Sequence, residues 1–513
     1  MDSGSGSPSL AVPRNRLLPI RASRAPAGGT EGTEEPMSPT ARIMDDLDIY
    51  IVIAIGLDTA VNMPVFLSGI ESALAQHPRF RCIQVPPYST TVSGERWVRT
   101  TVNVEDHIIV PTLDPAAVAT DSDKAVEDYM ASLSTLPMHR SRPLWDFHIL
   151  NFPTSEAAST VVLRLHHSFG DGMALMALLM TTTSTSTPAA AAPASTGTTA
   201  VPARPARTGA IYARQCPPLS AGVLAFAGWV WSYFVLAWNT LVDLAFFLAT
   251  ILFLNDPHTL FKRVDNDEFH RKRFVHRSLS LDDVKFIKNA MNCSVNDVLV
   301  GLTSAALSRY YFHKSGDTNT REICLRSILP VNTRPATSVQ KYVNAIESDK
   351  SDDVIWGNQL GYIILPFHLT THDHPLEFVR KAKKVSDRKK SSFEVIFTYK
   401  IADIFVKLFG VKAGVLIFRR LIAHTTIVFS NMVGPAEQVT VNGHPVSFIA
   451  PSVYGIQEAL IVHYQSYKRT IKVILSVDED KFSDYPQLLD DLSQTLTNMR
   501  DAASRTSTPT KND

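Results

Sequence analysis

The chain has 513 residues, enough for two domains of ordinary size or for two halves around a shared cleft. Lys and Arg number 50 against 49 Asp and Glu, a formal net charge of +1 that supplies no field to gather nucleic acid, so no nucleic-acid partner is expected. Cys82, Cys216, Cys293 and Cys324 are scattered without zinc-site spacing or a disulfide framework, as in chains that fold in a reducing compartment, and no metal is expected.

Residues 1–35 are Gly, Ser, Pro and Arg with few apolar side chains, a composition that cannot offset chain entropy and reads as a disordered tail. Arg14, Arg16, Arg21 and Arg24 among serines also resemble a transit peptide. Residues 36–180 alternate strands and helices, a mixed α/β first lobe. Within it, 49–57 (IYIVIAIGL) is a near-continuous apolar run of strand length, and 63–76 has helical spacing through Phe66, Leu67, Ile70 and Leu74. Strands are predicted again at 145–150 (WDFHIL) and 160–165 (TVVLRL), followed by an apolar helix over 173–180.

Residues 181–218 are low-complexity Thr, Ser, Ala and Pro, a linker. Residues 219–254 form an apolar stretch whose one charge is Asp243, long enough to cross a bilayer; the competing reading is a buried core helix. After a basic patch at Arg271, Lys272, Arg273 and Arg277, residues 255–500 resume α/β patterning as a second lobe, and 501–513 read as a disordered tail. A helix is predicted over 294–311, with Val295, Val298, Leu299, Leu302 and Ala306 on one face and Ser294-x-x-Asp297 as a capping box. Strands follow at 322–330, 361–369, 425–430, 459–465 and 470–477, the last two close to a hairpin.

The chemistry is concentrated in His166-His167-Ser168-Phe169-Gly170-Asp171-Gly172, which follows a strand and precedes a helix, with glycines that allow a sharp turn. An imidazole titrates near neutrality, so His167 can take the proton of an alcohol attacking a carbonyl and return it to the leaving group. Two roles are open to Asp171: holding His167 in one tautomer, or pairing with a buried Arg that braces the loop, the favoured one. A metal-binding His pair lacks further ligands, and a nucleophilic Ser168 lacks the Gly-x-Ser-x-Gly elbow. His77, His107 and His463 read as surface or hydrogen-bonded core residues.

The motif His-His-x-x-x-Asp-Gly resembles the active-site signature of the CoA-dependent acyltransferase superfamily, to which chloramphenicol acetyltransferase and peptide-synthetase condensation domains belong. From about residue 34 to about residue 480 the chain is similar to the plant branch of the wax ester synthase/diacylglycerol O-acyltransferase family. That likeness is carried by Pro143-Leu144-Trp145, Asn296-Asp297, 325–335 (LRSILPVNTRP), 356–367 (WGNQLGYIILPF), 430–435 (SNMVGP) and 450–455 (APSVYG). The Asp-Phe-Gly-Trp-Gly motif of soluble plant alcohol acyltransferases is absent.

The resemblance implies two chloramphenicol-acetyltransferase-like lobes, each a mixed sheet with helices, around a central tunnel. It implies His167 as the base, since only His167 stands in the spacing His-x-x-x-Asp with Asp171, and it places His166, Asp171 and Gly172 in the same motif. Asn296 would help stabilise the oxyanion, while Asp297 is open to a purely capping role. The implied reaction moves a fatty acyl group from acyl-CoA, a co-substrate rather than a bound cofactor, to a long-chain alcohol or to diacylglycerol. The alternatives are a smaller or isoprenoid alcohol as acceptor, or an inactive membrane-tethered lipid-binding protein. The expected location is the endoplasmic reticulum membrane, or else the plasma membrane, with both lobes cytosolic. Residues 219–254 would then form a re-entrant hairpin or an interfacial helix pair, with Arg271, Lys272 and Arg273 near anionic headgroups.

Overall fold

A computed structural model describes residues 34–86, 95–181, 183–185, 222–262, 271–316, 322–334, 357–456, 460–482 and 484–507. The expected N-terminal tail up to residue 33 and most of the linker lie outside these residues. In chain order the first strands are β1 (Glu35–Pro36), β2 (Tyr50–Leu57), β3 (Cys82–Val85), β4 (Arg96–Arg99), β5 (Ile108–Ile109), β6 (Trp145–Leu150), β7 (Ser159–His166) and β8 (Thr183–Thr185). They are followed by β9 (Lys272–Ser280), β10 (Ile323–Asn332), β11 (Leu360–Leu369), β12 (Ile427–Val433), β13 (Val439–Val441), β14 (His444–Tyr454), β15 (Leu460–Tyr467) and β16 (Thr470–Asp478). One sheet runs β5-β6-β7-β2-β14-β13-β8, a second β11-β10-β12-β15-β16-β9, and a small third β1-β4-β3.

Strand β2 is buried along its whole length, which is why its sequence is continuously apolar rather than alternating. Ile51, Ile53 and Ile55 pack with Phe66, Ile70 and Trp145, while Tyr50, Val52 and Ala54 turn to a cluster holding Val126, Met130 and Leu133. Both edges are occupied: β7 pairs with β2 through His166↔Tyr50, and β14 through Tyr454↔Tyr50 and Ala450↔Ala54. Strands β13 and β14 come from the second half of the chain, so that half is not a sheet to itself and a cut near the linker does not separate the two sheets. In the second sheet β10, β12 and β15 run parallel, and the rest antiparallel. Helix Val295–Ser315 buries Val298, Leu299, Leu302 and Ala306 in that half's core, capped by the reciprocal Ser294–Asp297 box.

Several expectations need correction. Arg271, Lys272 and Arg273 do not face outward as a group: Lys272 and Arg273 are buried in or beside β9, where Arg273 pairs with Asp128 and Glu479, and Arg271 reaches Glu479. The apolar stretch is neither a hairpin nor a helix pair, because Gly222–Leu252 is one unbroken helix of 31 residues with no proline or glycine pair to fold it back. Thr183–Thr185, placed in the linker, pairs with β13 as an edge strand. Helix Tyr485–Ser507 carries Ala502 and Ala503 into the core, so the C-terminal helix outruns the expected boundary at residue 500.

Candidate active site

Strand alternation separates the two histidines at the end of β7. His166 is fully buried behind the loop, its Nδ1 2.8 Å from Ser168 Oγ, which Gln84 also contacts. Its Nε2 lies 3.7 Å from the Asp48 carboxylate and 3.9 Å from that of Asp45, and Arg140 ties those two acids together. His167 faces the other way and lines a cavity of about 630 Å³. Its N–H donates to Ile49 O at 2.8 Å, and the Asn358 amide donates to its carbonyl at 2.8 Å, so the backbone on either side is fixed. Burial holds the imidazole's basicity below the usual histidine value, against the opposing charge of Asp171, and keeps the ring neutral at neutral pH.

Asp171 makes no hydrogen bond to His167 among the described residues. Its carboxylate forms a fully buried ion pair with Arg334 and accepts the Gln359 N–H at 3.0 Å and the Ala174 N–H at 3.1 Å. Arg334 donates onward to Gly357 O at 2.6 Å and Asn332 Oδ1 at 3.2 Å. The geometry is thus that of a brace, which clamps the loop after His167 to the strand ends β10 and β11 and sets a negative charge just before the N-terminus of helix Gly172–Thr181. The glycines serve by lacking a side chain more than by unusual torsion. Gly170 is plainly extended, at φ 166°, and bridges to Gly357, whereas a Cβ on Gly172 would stand 2.7 Å from Met432 Cε.

Asn296 is not brought to this place. It lies on the first turn of helix Val295–Ser315 and is not among the residues lining the His167 cavity, while Asp297 is spent on the capping box and on Lys390, 3.7 Å away. Pro143-Leu144-Trp145 is likewise structural: Trp145 is completely buried, stacked on His107 at 3.9 Å, with its indole N–H on Phe80 O. His107 is therefore a core residue, as its sequence context suggests, and His77 accepts from the Arg79 N–H at a 3₁₀ turn.

The remaining quoted stretches do converge on the cavity. Pro330 and Asn332 come from the first, Tyr362 from the second, Ser430 and Met432 from the third, Ser452 from the fourth. The rest of the wall is mostly aliphatic, with Met44, Ile49, Ile51 and Ile53 from the first lobe. His463, read from sequence as a residue without a role, also lines it. Its Nε2 is buried and has no hydrogen-bond partner among the described residues, and burial together with the nearby His167 lowers its pKa to about 4. No local signal on β15 marks it, because a single histidine among Leu460, Ile461, Val462 and Tyr464 reads as core.

The comparisons agree with this layout. Residues 53–299 match the wax ester synthase/diacylglycerol acyltransferase catalytic domain and residues 356–500 the WS/DGAT C-terminal domain. Wax ester synthase/diacylglycerol acyltransferase 11 of Arabidopsis thaliana is 38% identical over 476 residues, 90% of this chain and 94% of that protein. The Arabidopsis protein numbered 4 in the same series is 36% identical over 497 residues, 93% of this chain and 92% of its own. Among solved structures, the wax ester synthase/diacylglycerol acyltransferase from Marinobacter aquaeolei VT8 superposes with a TM-score of 0.55 at 16% identity, over 91% of this chain and all of that one. The first condensation domain of the calcium-dependent antibiotic synthetase does so with a TM-score of 0.51 at 12% identity, over 93% and 97%. At such identities these two speak for the fold, which is the two-sheet acyltransferase architecture the motif implied. The close sequence relatives carry the family assignment, and the chain belongs to the wax ester synthase/diacylglycerol acyltransferase family.

Proposed function

We propose that this enzyme moves a fatty acyl group from acyl-CoA to a long-chain alcohol, giving a wax ester, and to diacylglycerol, giving triacylglycerol, with His167 as general base. The observation that carries the reading is the His167 imidazole at the wall of a largely aliphatic cavity of about 630 Å³. That volume lies within the roughly 300–1,000 Å³ usual for small-molecule sites. The names of the relatives supply the substrate class.

In the proposed reaction the acceptor hydroxyl gives its proton to His167 as its oxygen attacks the thioester carbonyl carbon. The tetrahedral oxyanion collapses, the C–S bond breaks, and the imidazolium returns the proton to the departing CoA sulfur. Asp171 and Arg334 act as positioning residues through the loop. The aliphatic walls favour a hydrocarbon acceptor over a small polar one. Reaction at a membrane, on the cytosolic side of the endoplasmic reticulum where acyl-CoA is available, fits substrates and products that partition into lipid.

The test is purified full-length protein with palmitoyl-CoA and either hexadecanol or dioleoylglycerol, following CoA release and ester by mass. Ester should form in step with CoA. CoA release without ester, or ester only with short polar alcohols, would contradict the proposal.

A further inference from the structure

Helix Gly222–Leu252 carries an outward face of large apolar side chains: Trp231 is 68% exposed, Phe234 65%, Trp238 65% and Leu241 62%. It does not stand alone. It packs against helices Glu394–Phe409 and Val411–His424, whose own outer faces add Ile401, Ile404, Leu408 and Leu416, each more than half exposed. A patch of this extent is far beyond what scattered surface apolar residues explain.

The helix is fastened to the second lobe through polar contacts at its middle and its end. Asp243 is buried and accepts from Arg388 at 2.7 Å and Lys389 at 3.0 Å, and Lys389 also holds Glu394 at 2.7 Å. Asn239 donates to Ser391 O at 3.2 Å, Thr240 Oγ1 accepts the Phe393 N–H at 2.9 Å, and Arg420 donates to the carbonyls of Ile251 and Leu252. A helix crossing a bilayer in this arrangement would carry Asp243, Arg388, Lys389 and Glu394 toward the hydrocarbon centre, where charged side chains are costly. Lying flat, the same helix keeps that cluster on its protein side.

The patch is bordered by positive charge. Outward-facing Lys400, Lys407, Lys412, Arg419 and Arg420 lie on the two partner helices, whose acids are Asp403, paired with Lys407, and the buried Glu394. It is also continuous with the active-site cavity. Phe247 and Ile251 of the long helix pack on a cluster with Ile328, Ile364, Leu421 and Ile422, and Ile328, Ile422 and Phe418 line the cavity. Val433, 72% exposed, lines it as well.

We infer that these three helices form a docking face that rests in the surface of an anionic lipid bilayer without crossing it, so that lipid acceptors reach the His167 cavity sideways from the leaflet. The docking itself is independent of the proposed reaction; only the acceptor's route rests on that reading. An apolar face rimmed by Lys and Arg is the form an interfacial anchor takes, with burial and headgroup attraction acting together.

The test is flotation of the full chain with vesicles of phosphatidylcholine alone and of phosphatidylcholine mixed with phosphatidylserine, whose anionic headgroups attract basic residues, in the absence of substrates. The protein should float, more strongly with phosphatidylserine. The triple substitution Trp231→Glu, Phe234→Glu, Trp238→Glu and, separately, Ile404→Glu with Leu408→Glu should each weaken binding at least about tenfold. Both variants should keep the parent's thermal melt, which shows that they fold. In sealed microsomes, tags at the two ends should both be digested from the cytosolic side. Protection of one tag would make the helix a span, unchanged flotation of both variants would remove the face from docking, and failure of the parent protein to float would leave the face to another partner. Each of these outcomes overturns the inference. Loss of all acyl transfer with normal flotation would instead count against the proposed function.

Discussion

Replacing Asp171 with Asn keeps the side chain's shape and removes its charge, which leaves the Arg334 guanidinium buried opposite a neutral amide. Breaking one side of a buried pair costs about 3–5 kcal/mol, so Asp171→Asn should lower the melting temperature well below that of His167→Ala, with activity falling as the loop shifts. Thermal melts of the two purified variants check this; an unchanged melt with activity abolished would point to direct orientation of His167 instead. The site's residues were unequally legible in the sequence. His167 and Asp171 stood out because a motif places them four apart, and strand alternation explains why the neighbouring His166 belongs to a separate buried network with Ser168, Gln84 and Asp48. Arg334 lay within a quoted stretch, but its partner is 163 residues away, and nothing local announces an ion pair of that separation. His463 was missed for the same reason, since only the parallel pairing of β15 with β12 carries it to the cavity.

Element by element, the patterns that survive are those set by burial on a single scaffold. The run at 49–57, the helix capped by Ser294 and the β15–β16 hairpin fall where periodicity and capping put them. Strand β9 was hidden by Lys272, Arg273 and Arg277, charges that normally signal surface; Arg273 is here neutralised by Glu479 and Asp128, and Arg277 by Asp490. Strand β14 was hidden by Pro445 and Pro451, which interrupt a strand pattern although the segment fits between β2 and β13. The helix beginning at Val295 yields a prediction of its own. Ser294→Ala should cost about 1 kcal/mol through loss of the cap. Asn296→Ala should leave kcat within a few-fold of the parent, because Asn296 lies outside the cavity. Steady-state kinetics decide between this and an oxyanion role, which a fall in kcat of about 10² or more would restore.

Across the whole molecule, the two halves are joined by exchange rather than by a linker alone: β13 and β14 complete the first sheet and then return the chain to β15 and β16 in the second. That placement brings residues from both halves to one cavity and could not be read from a chain whose halves look like successive domains. Burial at the scale of the molecule also sets its pH response. His77, His276 and His463 are each held near a pKa of about 4, mainly by desolvation, against an ordinary value of 6.5. The unfolded chain therefore binds more protons than the folded one between about 6.5 and about 4, so stability present above pH 6.5 should decline as pH falls through that window. Urea unfolding of the parent and of His463→Gln should show the decline, with a shallower slope in the variant; equal slopes would contradict it. Whether the His167 imidazole takes the acceptor's proton is decided by His167→Ala in purified protein with saturating palmitoyl-CoA and hexadecanol. Turnover should fall about 10²–10⁴-fold with the fold retained; a variant that folds and keeps most of its turnover would mean that another group takes the proton.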